Sequence, residues 1–528
     1  MKRFYIPEGE LVVTGENITI SPKIVITSDE TMMSQYRGGI FLGFSACMPQ
    51  GLIPDWLYFH AILPPVRRRN GQAVFADPGL RMVEASLLND GFSEGEVAVV
   101  HPNDLHRMVG PDTKIVAIGG HDILGMNPPT STFVDMARTG QPYNRIKFLE
   151  LVRHPSLEDV TIVVGGKSAW QVSDPEIMKK LGIDHVFLGE CEVTLPRVFR
   201  QILNHEEVPS VIIGEEPGID RIPNLRHPTI HGVVECSRGC GRGCDFCTPA
   251  MQKVRYKPVD QIITDVKMNL DAGNKDLCLH SEDMLRYGAK GIVANEEKVM
   301  ELFTRVASLD GVRAIGMSHI ALATAYHHPG LIEALSDTLN TLPGQAFTGA
   351  QTGIETGSPA LMERHMKGKT APAKPAEWPG IVTESIAMLH DNNWALACTL
   401  INGLPGETED DVLKTIELVE SLKGMKIIII PMNFVSMDHS RLSREQSFTV
   451  EKMTPAHWSL AGLCLEQDLK VLRELKDLYR DGNFLVRKVW SVVLDYLINN
   501  ADSYIDLLKE GNPPKTYEGQ AKYLVPEI

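Results

Sequence analysis

Cysteine is scarce in this chain, at nine in 528 residues, too few to cross-link a scaffold of this size. Long apolar runs are missing as well. Stretches such as Ile427–Met432 fall far short of the roughly 20 residues that a membrane-spanning helix needs, so no transmembrane segment is expected. An excess of basic charge is also absent. Lys and Arg number 52 against 67 Asp and Glu, for a net charge of −15. That balance argues against a sequence-blind nucleic-acid binder, although Arg67, Arg68 and Arg69 form a small basic patch. No apolar run follows Lys2 and Arg3, so no signal peptide is expected, and the expected location is cytoplasmic. No internal repeat or low-complexity tract is found.

What is present is a soluble-protein composition, 43% hydrophobic and 23% charged, on a chain long enough for two or three domains. β-type runs alternate with helical ones in the first part: Val97–Val100, Asn103–Val109, Lys114–Ile118, Arg145–Arg153, Thr161–Val164 and His185–Leu188. Alternation of this kind predicts a parallel, doubly wound sheet. Three of its strands run into turns rich in glycine or acid, beginning at Gly119, Gly165 and Gly189. Ligands of open parallel sheets gather at such carboxyl ends. Residues 206–228, rich in Pro, Glu and Gly, read as a linker carrying one short strand.

A second α/β series follows, with six candidate strands at Gly232–Val234, Leu277–His280, Ala314–Ser318, Phe347–Ile354, Leu396–Ile401 and Ile427–Asn433. Six strands with helices between them predict a partial βα barrel over 229–440. Beyond it, Leu465, Leu469, Leu472 and Tyr479 share a helical face, and Val489–Leu497 adds another apolar helix. Residues 441–528 are therefore expected to form a helical C-terminal domain. The expected fold is α/β, with a Rossmann-like domain over 1–205, the barrel and the helical domain.

Four of the nine cysteines fall between Cys236 and Cys247. Cys240, Cys244 and Cys247 are spaced C-x3-C-x2-C in a loop that also holds Gly239, Gly241 and Gly243. Thiolates this close converge on one centre only if the backbone coils tightly, which these glycines permit. Soft sulfur ligands favour iron–sulfur clusters or zinc. The alternatives are a zinc site or a four-cysteine cluster that includes Cys236. Structural zinc usually takes two ligand pairs, and no second pair exists here.

The triad, with Phe246 before its last cysteine, resembles the signature of the radical S-adenosylmethionine (SAM) superfamily. That resemblance implies a 4Fe–4S cluster on Cys240, Cys244 and Cys247, with SAM on the open iron. Later loops resemble family loops in the expected order. His280-Ser281-Glu282-Asp283 stands at the place of the amino-group-binding turn, without its glycines. Gln351–Ser358 resembles the GIESG strand end, and Ile401–Thr408 the GLPGET loop. The SAM-binding residues so implied are Phe246, Glu282, Asp283, Ser318, Glu355 and Asn402.

A Rossmann-like domain ahead of this barrel resembles the cobalamin-binding subfamily. The resemblance assigns cobalamin contacts to Gly119, Gly120, His121, Asp122 and Gly125, to Gly165, Gly166 and Ser168, and to Gly189 and Glu190. The DxHxxG motif that supplies an axial histidine in other cobalamin proteins is absent. Methylthiotransferases share the barrel but carry a second three-cysteine cluster, and the stretch ahead of the barrel here has only Cys47 and Cys191. The implied activity is C-methylation of an unactivated carbon, with a flavodoxin- or ferredoxin-like reductant as partner. The implied substrate is a protein or peptide, foremost a glutamine of methyl-coenzyme M reductase, and not nucleic acid. The competing expectations are a lipid-cyclising or lipid-methylating enzyme with the same cofactors, and a non-catalytic cobalamin or iron–sulfur binding protein.

Overall fold

A computed structural model describes residues 21–51, 53–138, 140–248, 251, 253–475 and 484–514. The N-terminal unit is built on six parallel strands: β1 (Ile24–Thr27), β2 (Val97–Val99), β3 (Ile115–Gly119), β4 (Thr161–Gly165), β5 (His185–Leu188) and β6 (Val211–Ile213). Their order is β2-β1-β3-β4-β5-β6. The central strands are apolar because helices cover both faces, as a doubly wound sheet demands. Helices α1 (Pro78–Asn89), α2 (Pro128–Ala137), α3 (Tyr143–Val152) and α4 (Thr194–Leu203) connect or flank these strands. Strand order reverses between β1 and β3, so the crevice at a topological switch point opens beyond Thr27 and Gly119. β1, central to the sheet, was not among the strands expected from the sequence. The stretch expected to be a linker supplies β6, which pairs with β5 from Val186↔Val211 to Leu188↔Ile213.

The second unit has β7 (Val233–Glu235), β8 (Asp276–His280), β9 (Ala314–Met317), β10 (Thr348–Glu355), β11 (Trp394–Asn402) and β12 (Ile427–Asn433). β7, β8 and β9 form one parallel set and β10, β11 and β12 another. A parallel bridge between His319 and Gln351 joins the two into one arc in sequence order. Helices α5 (Val259–Asp271), α6 (Glu296–Ala307), α7 (Pro329–Asn340), α8 (Trp378–Asp391) and α9 (Glu409–Ser421) lie outside the arc. Strand alternation divides the side chains. Leu396, Cys398 and Leu400 of β11 join the core under the helices, whereas Thr399 points inward and reaches Glu355.

α10 (Pro455–Leu475) and α11 (Phe484–Lys509) form the C-terminal pair, α10 packing on β12 and α9. Leu469 of the expected helical face is buried, and Tyr479 lies outside the described residues. Among the described residues no helix is long and apolar enough to cross a membrane.

Candidate functional site between two strand-end faces

The cysteine loop leaves the end of β7. Cys236 stays in the barrel wall: its N–H donates to His280 O at 2.8 Å, and it accepts from Lys257 N at 2.9 Å. Burial pushes its thiol pKa up. Beyond it Gly239, Gly241 and Gly243 take φ of 80°, 72° and 73°, a left-handed conformation that admits glycine without strain. The loop closes on itself, since the N–H groups of Cys240 and Gly241 both donate to Met251 O. The thiols of Cys244 and Cys247 share a hydrogen bond, which favours Cys244 as the thiolate and holds its pKa below the usual value.

Three cations enclose this loop. Arg242 runs back beneath it, donating from Nη1 to Gly368 O and Lys369 O at 3.1 Å each and from Nη2 to Asp283 Oδ2 at 3.1 Å. Arg286 donates from Nη2 to Cys240 O at 2.7 Å. Lys369 donates to Glu355 Oε1 at 2.8 Å, and its charge is felt at both Cys244 and Cys247. Burial opposes the Lys369 charge, but Glu355 and the two cysteines outweigh it and raise its pKa. Among the described residues Arg242 Nε and Arg286 Nε and Nη1 are buried without a hydrogen-bond partner. Unpaired buried N–H groups are costly, and their place beside Cys240 suits an anionic group on the cysteines. Three soft thiolates in one glycine-bent loop, with buried and unpartnered guanidinium nitrogens beside them, fit a 4Fe–4S cluster.

Glu355 ends β10 with φ of 64° and accepts from Thr399 Oγ1 at 3.2 Å as well as from Lys369. Glu282, after β8, lies among His319, Lys167 and His280. Burial opposes its charge, but attraction to these neighbours, the imidazoles when protonated, outweighs it and holds the carboxyl below the usual range. His280 is pushed down to about 4 by burial and by Lys167. Asp283 turns away from this group. Its carboxylate takes Arg242 Nη2, Thr324 Oγ1 and Ala321 N–H, so it braces the cysteine loop. Ser318 Oγ donates to Ser281 O at 2.9 Å and accepts from Ser281 N, fixing the turn that carries Glu282. Asn402 is buried at the end of β11, and Phe246 is half-buried against the barrel core. Arg286 and Lys369 went unnoticed in the sequence because their neighbours are brought by distant segments.

On the N-terminal unit the turns after β3, β4 and β5 lie side by side, bringing the expected cobalamin residues to one edge. The turns after β3 and β4 pack backbone to backbone: Gly120 N–H donates to Gly165 O at 3.2 Å, and a Cβ at Gly166 would stand 2.6 Å from Gly120 O. Ser168 Oγ donates to Gly120 O and accepts from Ile123 N, both at 3.1 Å. Asp122 is engaged by Thr130 Oγ1, Gln171 Nε2 and Asn127 N, which holds the turn from Gly119 to Gly125. His121 projects from it, 57% exposed, with Nε2 3.3 Å from Asp77 Oδ2. Asp77 raises the His121 pKa. Asp29, just past β1, is buried and pushed up to about 6 by desolvation.

The two units meet at these same ends. Lys167, exposed on the turn after β4, acts electrostatically on Asp77 and His121 on its own side and on Glu282, His280 and His319 of the barrel. Glu190, after β5, is taken up by ion pairs with Arg238 and Arg255 of the barrel. Arg238 also binds Glu192 at 2.6 Å and Glu235 at 2.7 Å. On the far side, Thr132 Oγ1 of α2 accepts from Asn433 N at 2.8 Å. The carboxyl ends of both strand sets thus meet at one polar boundary.

Residues 234–419 match the model of the radical SAM superfamily. The chain is 28% identical over 281 residues to tRNA-2-methylthio-N(6)-dimethylallyladenosine synthase of Anaplasma phagocytophilum, covering 50% of this chain and 57% of that protein. It is 24% identical over 212 residues to the ribosomal protein uS12 methylthiotransferase RimO of Leptospira biflexa, covering 40% and 43%. The match thus spans about half the length of these curated relatives. In fold it is similar to the radical SAM methyltransferase TsrM of Kitasatospora setae, solved with cobalamin and a [4Fe-4S] cluster bound. That likeness has a TM-score of 0.53 and 12% identity, over 80% of this chain and 77% of TsrM.

Proposed function

Starting from the radical SAM match over 234–419, we propose that this chain is a cobalamin-dependent radical SAM methyltransferase that methylates an unactivated carbon. The observation that carries the reading is that the cysteine-bearing end of the barrel strands meets the glycine-rich turns of the N-terminal sheet across one polar boundary. In this reading the cluster and SAM supply one-electron hydrogen removal, and cobalamin supplies the methyl group. Cys240, Cys244 and Cys247 hold the cluster, and the turns after β3, β4 and β5 hold cobalamin. The chain's own side chains bind and orient. Glu282, kept ionised by its neighbours, accepts hydrogen bonds from an ammonium group. Glu355 is fixed by Lys369 and Thr399, so it presents a set geometry to a bound nucleoside. His280, pushed down to about 4, is neutral at pH 7 and adds no charge beside Lys167.

The finer reading is that the methylated carbon belongs to a glutamine of methyl-coenzyme M reductase, a protein substrate that α10 and α11 help to hold. Its support is the resemblance in domain order and loop sequence. A flavodoxin- or ferredoxin-like reductant completes the reading as electron donor, and the net charge of −15 supports a partner other than nucleic acid. Methylthio transfer, the activity named for the relatives by sequence, is disfavoured. The N-terminal unit has only Cys47, beside Thr130, and Cys191, beside Ser86, so it offers no second three-cysteine set.

Anaerobic reconstitution tests the reading. About four irons per chain, bound cobalamin and 5′-deoxyadenosine from SAM with a strong reductant are expected, with iron and 5′-deoxyadenosine lost in Cys240→Ala. A glutamine-bearing peptide of the reductase should gain a methyl group by mass spectrometry. Iron without cobalamin would remove methyl transfer through cobalt, and zinc in place of iron would sink the assignment.

A further inference from the structure

We propose that Arg286 sets the reduction potential of the cluster, stabilising the added electron from the Cys240 side. This inference rests on the cluster assigned above to Cys240, Cys244 and Cys247. Arg286 follows the turn after β8 and is 2% exposed. Of its five N–H donors, one on Nη2 is spent on Cys240 O at 2.7 Å. Among the described residues Nε and Nη1 have no hydrogen-bond partner, and the nearest carboxylate oxygen in an ion pair, Asp283 Oδ2, is 4.0 Å from Nε. Asp283 is already committed to Arg242, Thr324 and Ala321. The Tyr256 hydroxyl lies alongside without a well-aligned hydrogen bond. A guanidinium does not lose its proton at any working pH, so this is a buried, permanently charged group with donors to spare.

Arg242 is more fully committed. Its Nη1 and Nη2 are consumed by Gly368 O, Lys369 O, Asp283 and Thr324, so it acts mainly as a strut under the loop, with Nε alone left without a partner among the described residues. Arg286 acts on the Cys240 sulfur electrostatically, as Arg242 also does, and it is the one of the two that keeps both Nε and Nη1 without a partner among the described residues while bonded to the Cys240 backbone. Reduction of the cluster takes one electron from an external low-potential donor and adds one negative charge to a site already ligated by three thiolates. A fixed cation with unspent hydrogen bonds favours that more negative state. Net charge and hydrogen bonds to sulfur are two of the terms that set cluster potentials. Arg286 is thus a positioning and tuning residue and does not touch substrate.

The test uses the full chain, reconstituted anaerobically as wild type, Arg286→Met and Arg286→Lys. Iron and sulfide are counted first, and the cluster is then titrated potentiometrically by electron paramagnetic resonance. At a fixed potential Arg286→Met is expected to show about tenfold less reduced cluster relative to oxidised, a midpoint lower by about 59 mV for a one-electron couple. Arg286→Lys, which keeps the charge and loses the fork, should fall between. A wild-type midpoint in Arg286→Met at full iron content overturns the proposal. Should Arg286→Met fail to load iron, Arg286→Lys decides: an unshifted midpoint overturns the inference and a lowered one supports it. Wild-type protein that binds no four-iron cluster removes the underlying assignment instead, which the iron count reveals before any titration.

Discussion

Arg238 Nη2 lies 2.6 Å from Glu192 Oε1, across the boundary between the two units, and the Glu192 side chain is 1% exposed. The same guanidinium pairs with Glu190 and Glu235, so one cation bridges three carboxylates just before the cysteine loop.

Arg238→Ala should therefore do more than delete a contact. Removing one partner of a buried ion pair costs about 3–5 kcal/mol because the other charge is left uncompensated. The expected result is a lower unfolding midpoint in urea and faster cleavage of residues 206–228 in limited proteolysis. Intact cleavage kinetics would show that the units hold together without it.

Lys369 and Glu355 should couple in the protein without cofactors. Lys369→Met leaves a carboxylate that is 8% exposed without its cation, and a loss of about 3 kcal/mol is expected. Adding Glu355→Gln should recover much of it, because the unpaired charge is gone. A double-mutant cycle on urea midpoints measures the coupling, and additive losses would mean the pair does not interact.

Asp29 gives a pH dependence with a definite sign. Its folded pKa, about 6, lies above the ordinary 3.8. The neutral form is favoured by folding, so this stability is fully present below about 3.8 and lost as pH rises through 6. A shift of that size corresponds to about 3 kcal/mol at most. Asp29→Asn should raise thermal stability at pH 8 and make no difference near pH 4. An equal gain at both values would assign the effect to packing.

Gly368→Ala should strip iron while leaving the fold in place. A Cβ there would stand 1.8 Å from Arg242 O, so the cysteine loop must move. Reconstituted iron per chain is expected to fall by more than half, with far-ultraviolet circular dichroism unchanged.

Local spacing made much of this molecule readable. The barrel strands are short, largely apolar runs bounded by turns, and the cysteine loop announces itself through three thiols and three glycines. β1 escaped the reading although Ile24, Val25, Ile26 and Thr27 are all β-branched, because it stands far ahead of the alternating series that begins at Val97. β6 was foreseen as a short strand, but its pairing with β5 depends on a tertiary contact that no window of sequence contains. The same holds within the site. The acids after β8 look equivalent in sequence, yet Arg242, 41 residues earlier, draws Asp283 into support and leaves Glu282 at the boundary. Arg286 and Lys369 have no local signature, since an orphaned N–H or a pairing exists only once distant segments meet.

The pinning of β6 also alters how the halves can move. The chain after it is bonded to both units: Pro228 O accepts from Ala76 N and Arg81 Nε, and Leu225 N donates to Asp265 Oδ1 at 3.0 Å. It is a strap and not a floppy tether. A free linker of twenty residues would let each half sample many orientations and charge every encounter a loop-closure entropy. Here that entropy is already spent in folding, so a group carried on one face meets the other at high effective concentration. The corollary is that parting the halves requires the strap to be peeled off first.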